Sequence, residues 1–167
     1  MIIFNVVTSF TDDVFNTLYE GSSAHLDSGT YPWRLNPHIT TEEQKKQHLK
    51  ALFNQAPIMF TVYEDEQPLM LSAGKITDGV FKWYLALLGP DINGSKSWLY
   101  RDDYLQALSS FWSTQNITAW YAETLGPGTS VHDYLINARN AGMIPGTFTT
   151  EDTDYGLIRK TDVKFEI

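Results

Sequence analysis

Apolar and polar positions change period several times along the chain, and each change marks an element. Residues 2–7, IIFNVV, are short, apolar and β-branched, which suits a first strand. In TSFTDDVFNTLYEGSS the period lengthens. Val14, Phe15 and Leu18 share one helical face, Thr11 can cap it, and Asp12 and Asp13 occupy the first turn, where the helix dipole favours anions. Gly21 is the expected stop. No period holds across residues 21–39, GSSAHLDSGTYPWRLNPHI, which reads as a long loop. A second helix is expected in TTEEQKKQHLKALFNQ, with Thr40 and Glu43 as a capping box and Leu49, Leu52 and Phe53 as its buried stripe. Pro57 stops it.

Alternation then takes over. Residues 58–76, IMFTVYEDEQPLMLSAGKI, read as two strands around EDEQP, and VFKWYLALL as a third after the turn TDG. Helical spacing returns at Leu105, Leu108, Phe111 and Trp112, ending near Gln115. ITAWYAETL is a further strand, closed by GPG. Val131, Tyr134, Leu135, Ala138 and Ala141 form a last helical face with Gly142 at its C-terminal cap. GTFTT and YGLIRK make a final strand pair around EDTD. The order β-α-α-β-β-β-α-β-α-β-β predicts a single α/β domain over residues 1–167, with a mixed, mostly antiparallel sheet flanked by helices.

Composition narrows what such a domain does. Hydrophobic residues make up 43% of the chain, enough for a packed core. A net charge of −8 argues against nucleic acid and anionic membranes as partners, because both require a basic footprint. The absence of cysteine removes disulfides, thiolate nucleophiles and cysteine-based zinc sites. His25, His38, His48 and His132 show no ligand spacing, so no metal is expected. No apolar run approaches the ~18 residues of a membrane span. MIIFNVVTSF lacks a basic leader and a cleavage site, so it reads as a strand and a cytoplasmic setting is expected. Serine-hydrolase, Walker A and dinucleotide fingerprints are missing.

The loop that follows VFKWYLALL, GPDINGSKS, ends at a helix start. Asn93, Gly94 and Ser95 can offer backbone N–H groups to an anion, Lys96 adds a cation and Ser97 can cap the helix. Asp91, Asp102 and Asp103 oppose Lys96 and Arg101, for a local net of −1 (2 − 3). In ITAWYAETL, alternation places Glu123 on the face of Ile117, Ala119, Tyr121 and Leu125, where a carboxylate would act as a general base. Its bland alternative is a solvated strand end. Tyr31, Trp33 and Arg34 give the 21–39 loop an aromatic and cationic content suited to a substrate wall, a lid or a protein contact.

The element order resembles the GNAT fold, that of the Gcn5-related N-acetyltransferases, over nearly the whole chain. VFKWYLALL stands in the place of that family's fourth strand, SWLYRDDYLQALSSFW of its cofactor helix and ITAWYAETL of its fifth strand, and VHDYLINARNAGM resembles its Tyr-x-x-x-Gly-Phe ending. The resemblance implies acetyl-CoA or another acyl-CoA as cofactor and transfer of an acyl group to an amine of a small molecule or protein. It implies that backbone groups at Leu85 to Leu88, with Leu87 and Leu88 as cofactor contacts, align the pantetheine arm. Asn93, Gly94, Ser95, Lys96 and Ser97 then meet the pyrophosphate, Glu123 serves as base through water, Tyr134 as acid, and Tyr31, Trp33 and Arg34 as one wall of the acceptor site.

The chain also departs from the family. Its pyrophosphate signature is Arg or Gln, two residues, Gly, one residue, then Gly or Ala, and here only Gly94 stands in for a signature glycine. Ala138 occupies the place of the usual acidic Tyr, with Tyr134 one turn earlier, and the Gly-Phe ending is Gly142-Met143. A looser similarity links the chain to small GNAT-like proteins of tailed phages. It implies the alternative of a non-catalytic protein that binds another protein through the 21–39 loop, with a structural or assembly role in a virion. A small-molecule binding module using the same cleft is a third class.

Overall fold

A computed structural model describes residues 1–29, 37–89, 101–124, 147–154 and 159–166, with side chains for 1–22, 37–82, 84–89 and 101–119. Among the described residues, ten elements follow in chain order. They are β1 (Ile2–Val7), α1 (Asp12–Gly29), α2 (Glu42–Gln55), β2 (Ile58–Glu64), β3 (Gln67–Thr77), β4 (Val80–Leu88), α3 (Asp102–Thr114), β5 (Ala119–Thr124), β6 (Thr147–Asp154) and β7 (Arg159–Glu166). The seven strands form one open sheet in the order β1-β2-β3-β4-β5-β7-β6. Every pairing is antiparallel except β4 with β5, which are joined through α3 as a parallel crossover requires. The helix expected over 131–142 lies outside the described residues.

Two cores sandwich the sheet. On one face α3 packs Tyr104, Phe111 and Trp112 against Phe60, Val62, Met70 and Phe81, with Ile2 and Phe4 of the edge strand alongside. On the other, Phe15, Leu18 and Tyr19 of α1 and Leu49 and Phe53 of α2 cover Met59, Leu71, Ala73 and Leu87. Tyr19 links the two helices by donating to Glu42 at 2.6 Å, and Lys50 of α2 reaches Asp12 at 3.0 Å.

The hairpins follow the turn chemistry of the sequence. Asp65 adopts φ 54° in the two-residue turn between β2 and β3. Asp78 and Gly79 adopt φ 52° and 78° between β3 and β4, a turn with both central residues left-handed. The Gly79 carbonyl accepts from the N–H groups of Thr118 at 2.8 Å and Ala119 at 3.3 Å, which docks the start of β5 beside the start of β4. α3 delivers the chain there through a left-handed Asn116 (φ 55°). The N–H of Asn116 bonds to the Ser113 carbonyl and that of Ile117 to the Trp112 carbonyl, a Schellman ending with Ile117 returned to the core.

Three boundaries differ from expectation. α1 continues through Gly21 to Gly29, so residues 21–29 are helix and not loop. A helical glycine costs only about 1 kcal/mol, and Ser22 is anchored by tertiary hydrogen bonds immediately beyond it. The capping box of α2 uses Thr41 and Gln44, one residue later than Thr40 and Glu43, because the Thr41 hydroxyl and the Gln44 amide satisfy each other's backbone N–H groups. α3 starts at Asp102 with Arg101 in the N-cap position, so Ser97 does not cap it.

Candidate cofactor cleft

The parallel ladder between β4 and β5 is short. It runs through Val80↔Ala119, Phe81↔Trp120, Lys82↔Tyr121 and Trp83↔Ala122 and stops there, although β4 continues to Leu88 and β5 to Thr124. The stop coincides with a bulge. On β3, Ala73 pairs with Leu85 and the next residue, Gly74, pairs with Trp83, so Tyr84 is the extra residue on β4. A bulge bends its strand and increases local twist. It also exchanges faces. Before it, Phe81 lies on the α3 side, and after it the residues on that side are Ala86 and Leu88, while Leu85 and Leu87 join the α1/α2 core. Gly74 permits the close approach: a Cβ there would lie 2.2 Å from the Lys82 carbonyl oxygen and 2.8 Å from the Phe81 ring.

Backbone direction follows from the same ladder. The Gly89 N–H donates to the Leu69 carbonyl at 2.7 Å, which makes that pair a bonded one. Antiparallel pairs alternate between bonded and non-bonded. Leu87 and Leu85, opposite Leu71 and Ala73, therefore turn their N–H and C=O groups toward β3, and Ala86 and Leu88 turn theirs toward the gap. At Leu88 those groups meet Ser22 of α1. The Leu88 N–H donates to the Ser22 hydroxyl at 2.8 Å, and the hydroxyl donates to the Leu88 carbonyl at 2.7 Å. Ser22 is one of three buried polar residues among those with described side chains, with Thr61 and Ser72. Ser72 itself lies opposite Ala86.

Beyond the cleft, the start of α3 is tied down. The Arg101 guanidinium holds Glu64, at the end of β2, with Nη1 at 3.3 Å and Nη2 at 3.1 Å, and it also engages both oxygens of Asp103. Hydrogen bonding to Arg101 holds the Asp103 carboxyl below its ordinary range. Asp103, then Glu64, raises the guanidinium further above its already high value. The charge tally of the sequence already set Arg101 against the aspartates. The structure adds Glu64 as a second carboxylate on the same guanidinium, so Arg101 is shared between two anions and the local balance becomes −2 (2 − 4). Burial pushes the Tyr104 phenol up, so it stays protonated at neutral pH.

The residues expected at the site separate into groups. The Leu87 side chain is fully buried in the α1/α2 core and its backbone faces β3, whereas the Leu88 backbone faces the gap. Glu123 stands one residue past the last β4–β5 pair, at the point where the strands part. Its register partner on β7 is Asp162, and Asp162 in turn pairs with Glu151 on β6. Asn93, Gly94, Ser95, Lys96, Ser97, Tyr31, Trp33, Arg34 and Tyr134 lie outside the described residues. Sequence reasoning missed Ser22, the Tyr84 bulge and the Glu64–Arg101 pair. The serine carried no signal beyond its place after Gly21, and the ion pair joins residues 37 positions apart. Among the described residues, no helix is long and apolar enough to cross a membrane, and no three acidic or histidine side chains converge as a metal site.

No protein-family model matches the sequence, and no curated protein does. Solved structures match across the chain's full length. A putative GNAT-family acetyltransferase from Desulfovibrio desulfuricans superposes with a TM-score of 0.59 at 14% identity, covering 99% of both chains. The PaiA N-acetyltransferase of Thermoplasma acidophilum, solved with coenzyme A, gives 0.56 at 14% identity, covering 98% of this chain and 99% of its own. The Campylobacter jejuni N-acetyltransferase PseH, solved with acetyl coenzyme A, gives 0.54 at 15% identity, covering 99% of both. The chain thus has the fold of the GNAT N-acetyltransferases: a mixed α/β domain with an open, mostly antiparallel sheet.

Proposed function

We propose that this protein binds an acyl-coenzyme A in the gap between β4 and β5 and transfers the acyl group to an amine. The observation that carries the reading is the end of the β4–β5 ladder at Trp83↔Ala122, beside the Tyr84 bulge. An open strand edge suits the amide-bearing pantetheine arm, since it offers alternating donors and acceptors at a spacing that a chain of amides can meet. Ala86 is the position whose backbone N–H and C=O turn into the gap and for which no partner strand exists among the described residues. Similar solved structures that hold coenzyme A or acetyl coenzyme A support the same choice of ligand.

The bound coenzyme supplies an activated thioester. The chain's residues supply position and proton transfer. The Ala86 N–H would donate to the acyl oxygen as negative charge builds on it. Glu123, through water, would take the proton that the attacking amine nitrogen loses as the new C–N bond forms. Tyr134 would give a proton to the sulfur as the C–S bond breaks. Asn93, Gly94, Ser95, Lys96 and Ser97 would face the pyrophosphate, and Tyr31, Trp33 and Arg34 the acceptor.

Thermal denaturation with acetyl-CoA tests binding, and thiol release with a panel of amines tests turnover. At ligand 100-fold above Kd the stabilisation is roughly 2.7 kcal/mol, a Tm rise of about 5–10 °C for a chain this size. Gly94→Asp should remove that rise, because a carboxylate there blocks backbone approach and repels the pyrophosphate. Retained affinity in Gly94→Asp would exclude the 93–97 loop. No Tm rise at millimolar acetyl-CoA, with no thiol release, would leave the second reading, a non-catalytic binding protein of this fold, which the degenerate pyrophosphate signature favours.

A further inference from the structure

We infer that Ser22 is a positioning residue that closes the far end of the β4 edge and so sets the register of an amide-bearing ligand in the cleft. The inference rests on the acyl-coenzyme A reading and deepens it. After the bulge, two β4 positions turn their backbone groups into the gap, Ala86 and Leu88. They are separated by two residues, about 6.6–6.8 Å along the strand. A ligand that pairs with the edge like an added strand can engage one or both, and the choice moves its reactive end by that spacing. Ser22 takes one option away. Its hydroxyl accepts from the Leu88 N–H at 2.8 Å and donates to the Leu88 carbonyl at 2.7 Å, doing at one point what a neighbouring strand does with two groups.

The contact is built into the fold. Ser22 is 1% exposed and belongs to the turn of α1 that continues past Gly21. It bridges 66 residues of sequence, and the neighbouring positions Leu18 and Tyr19 lock the helix into the α1/α2 core. A hydroxyl held this way competes with any ligand amide for Leu88 and leaves Ala86 as the site of pairing. Without it a contact that holds Leu88 against pairing is lost, and a thioester bound one station too far does not meet the acyl-oxygen donor or the base. Misplacement of about 1 Å can cost roughly 100-fold in rate.

The test compares wild type with Ser22→Ala and Ser22→Thr, using acetyl-CoA and an amine the wild type acetylates. Hydrogen exchange of the Leu88 amide is measured alongside. Ser22→Ala should speed Leu88 exchange at least tenfold and lower kcat by about 10- to 100-fold, while KM for acetyl-CoA stays the same or falls. Ser22→Thr, which keeps the hydroxyl, should restore both kcat and protection. A raised KM with unchanged kcat in Ser22→Ala would overturn the inference, since Ser22 would then be an ordinary affinity contact. Unchanged kcat and exchange would overturn it too. If the wild type itself neither binds nor turns over acetyl-CoA, it is the enzyme reading that fails. Leu88 exchange in Ser22→Ala then still reports whether the hydroxyl closes the edge.

Discussion

The two halves of β4 have opposite tasks. From Val80 to Trp83 the strand is paired on both sides, with β3 and β5, and Phe81 packs into the α3 core. From Leu85 to Leu88 it keeps β3 but loses β5, and its inward side chains, Leu85 and Leu87, pack beneath α1 and α2 instead. One residue, Tyr84, separates the halves. The difference shows that one strand can serve a closed and an open stretch of the same sheet when each half packs into its own core. The extra residue marks the change between them.

That comparison can be broken from either side. The largest effect is expected for Leu87→Ala. Leu87 is fully buried and anchors the open half, so its truncation should cost about 2–5 kcal/mol, read as a lower Tm or denaturant midpoint. A cost below about 1 kcal/mol would mean that α1 and α2 do not hold the open half in place. Gly74→Ala comes next. Its methyl would meet the Lys82 carbonyl at 2.2 Å, a backbone atom that cannot rotate away, so a loss of about 1–3 kcal/mol or more is expected. Because the clash lies against the bulge, acetyl-CoA binding should fall in parallel; stability lost with binding intact would uncouple the bulge from the cleft.

The smallest effect belongs to Asp103→Asn at the start of α3. Arg101 depresses the Asp103 pKa in the folded protein, so the carboxylate adds stability above the unfolded value near 3.8 and loses it as pH falls through the lower folded value. The wild type should therefore lose this contribution only in strong acid, and the Asn variant should show a flatter stability profile below about pH 4. Identical profiles in chemical denaturation would show that the Arg101 contact is screened by solvent.

Much of this fold was legible because local chemistry and global pattern agree. The β2-β3-β4 meander is bounded by Asp-containing turns, and both hairpins form where EDEQP and TDG place them. The helical stripe of Leu105, Leu108, Phe111 and Trp112 falls within α3. What could not be read depends on partners distant in sequence. Gly21 looks like a stop until Leu88 is seen holding the next residue, and Arg101 looks available until Glu64 arrives from β2. VFKWYLALL is apolar apart from Lys82, so no sustained alternation betrays the bulge inside it. Glu123 was read along a single strand, and its cross-strand neighbour Asp162 appears only in the register.

The Schellman ending of α3 also fixes where the parallel ladder begins. Ile117 returns to the helix it has just left, and the Gly79 carbonyl takes the next two N–H groups. The parallel pair β4–β5 is thus pinned at its base by a turn and a helix terminus. It resembles a zipper fastened at the bottom, with four rungs running up to the extra tooth at Tyr84.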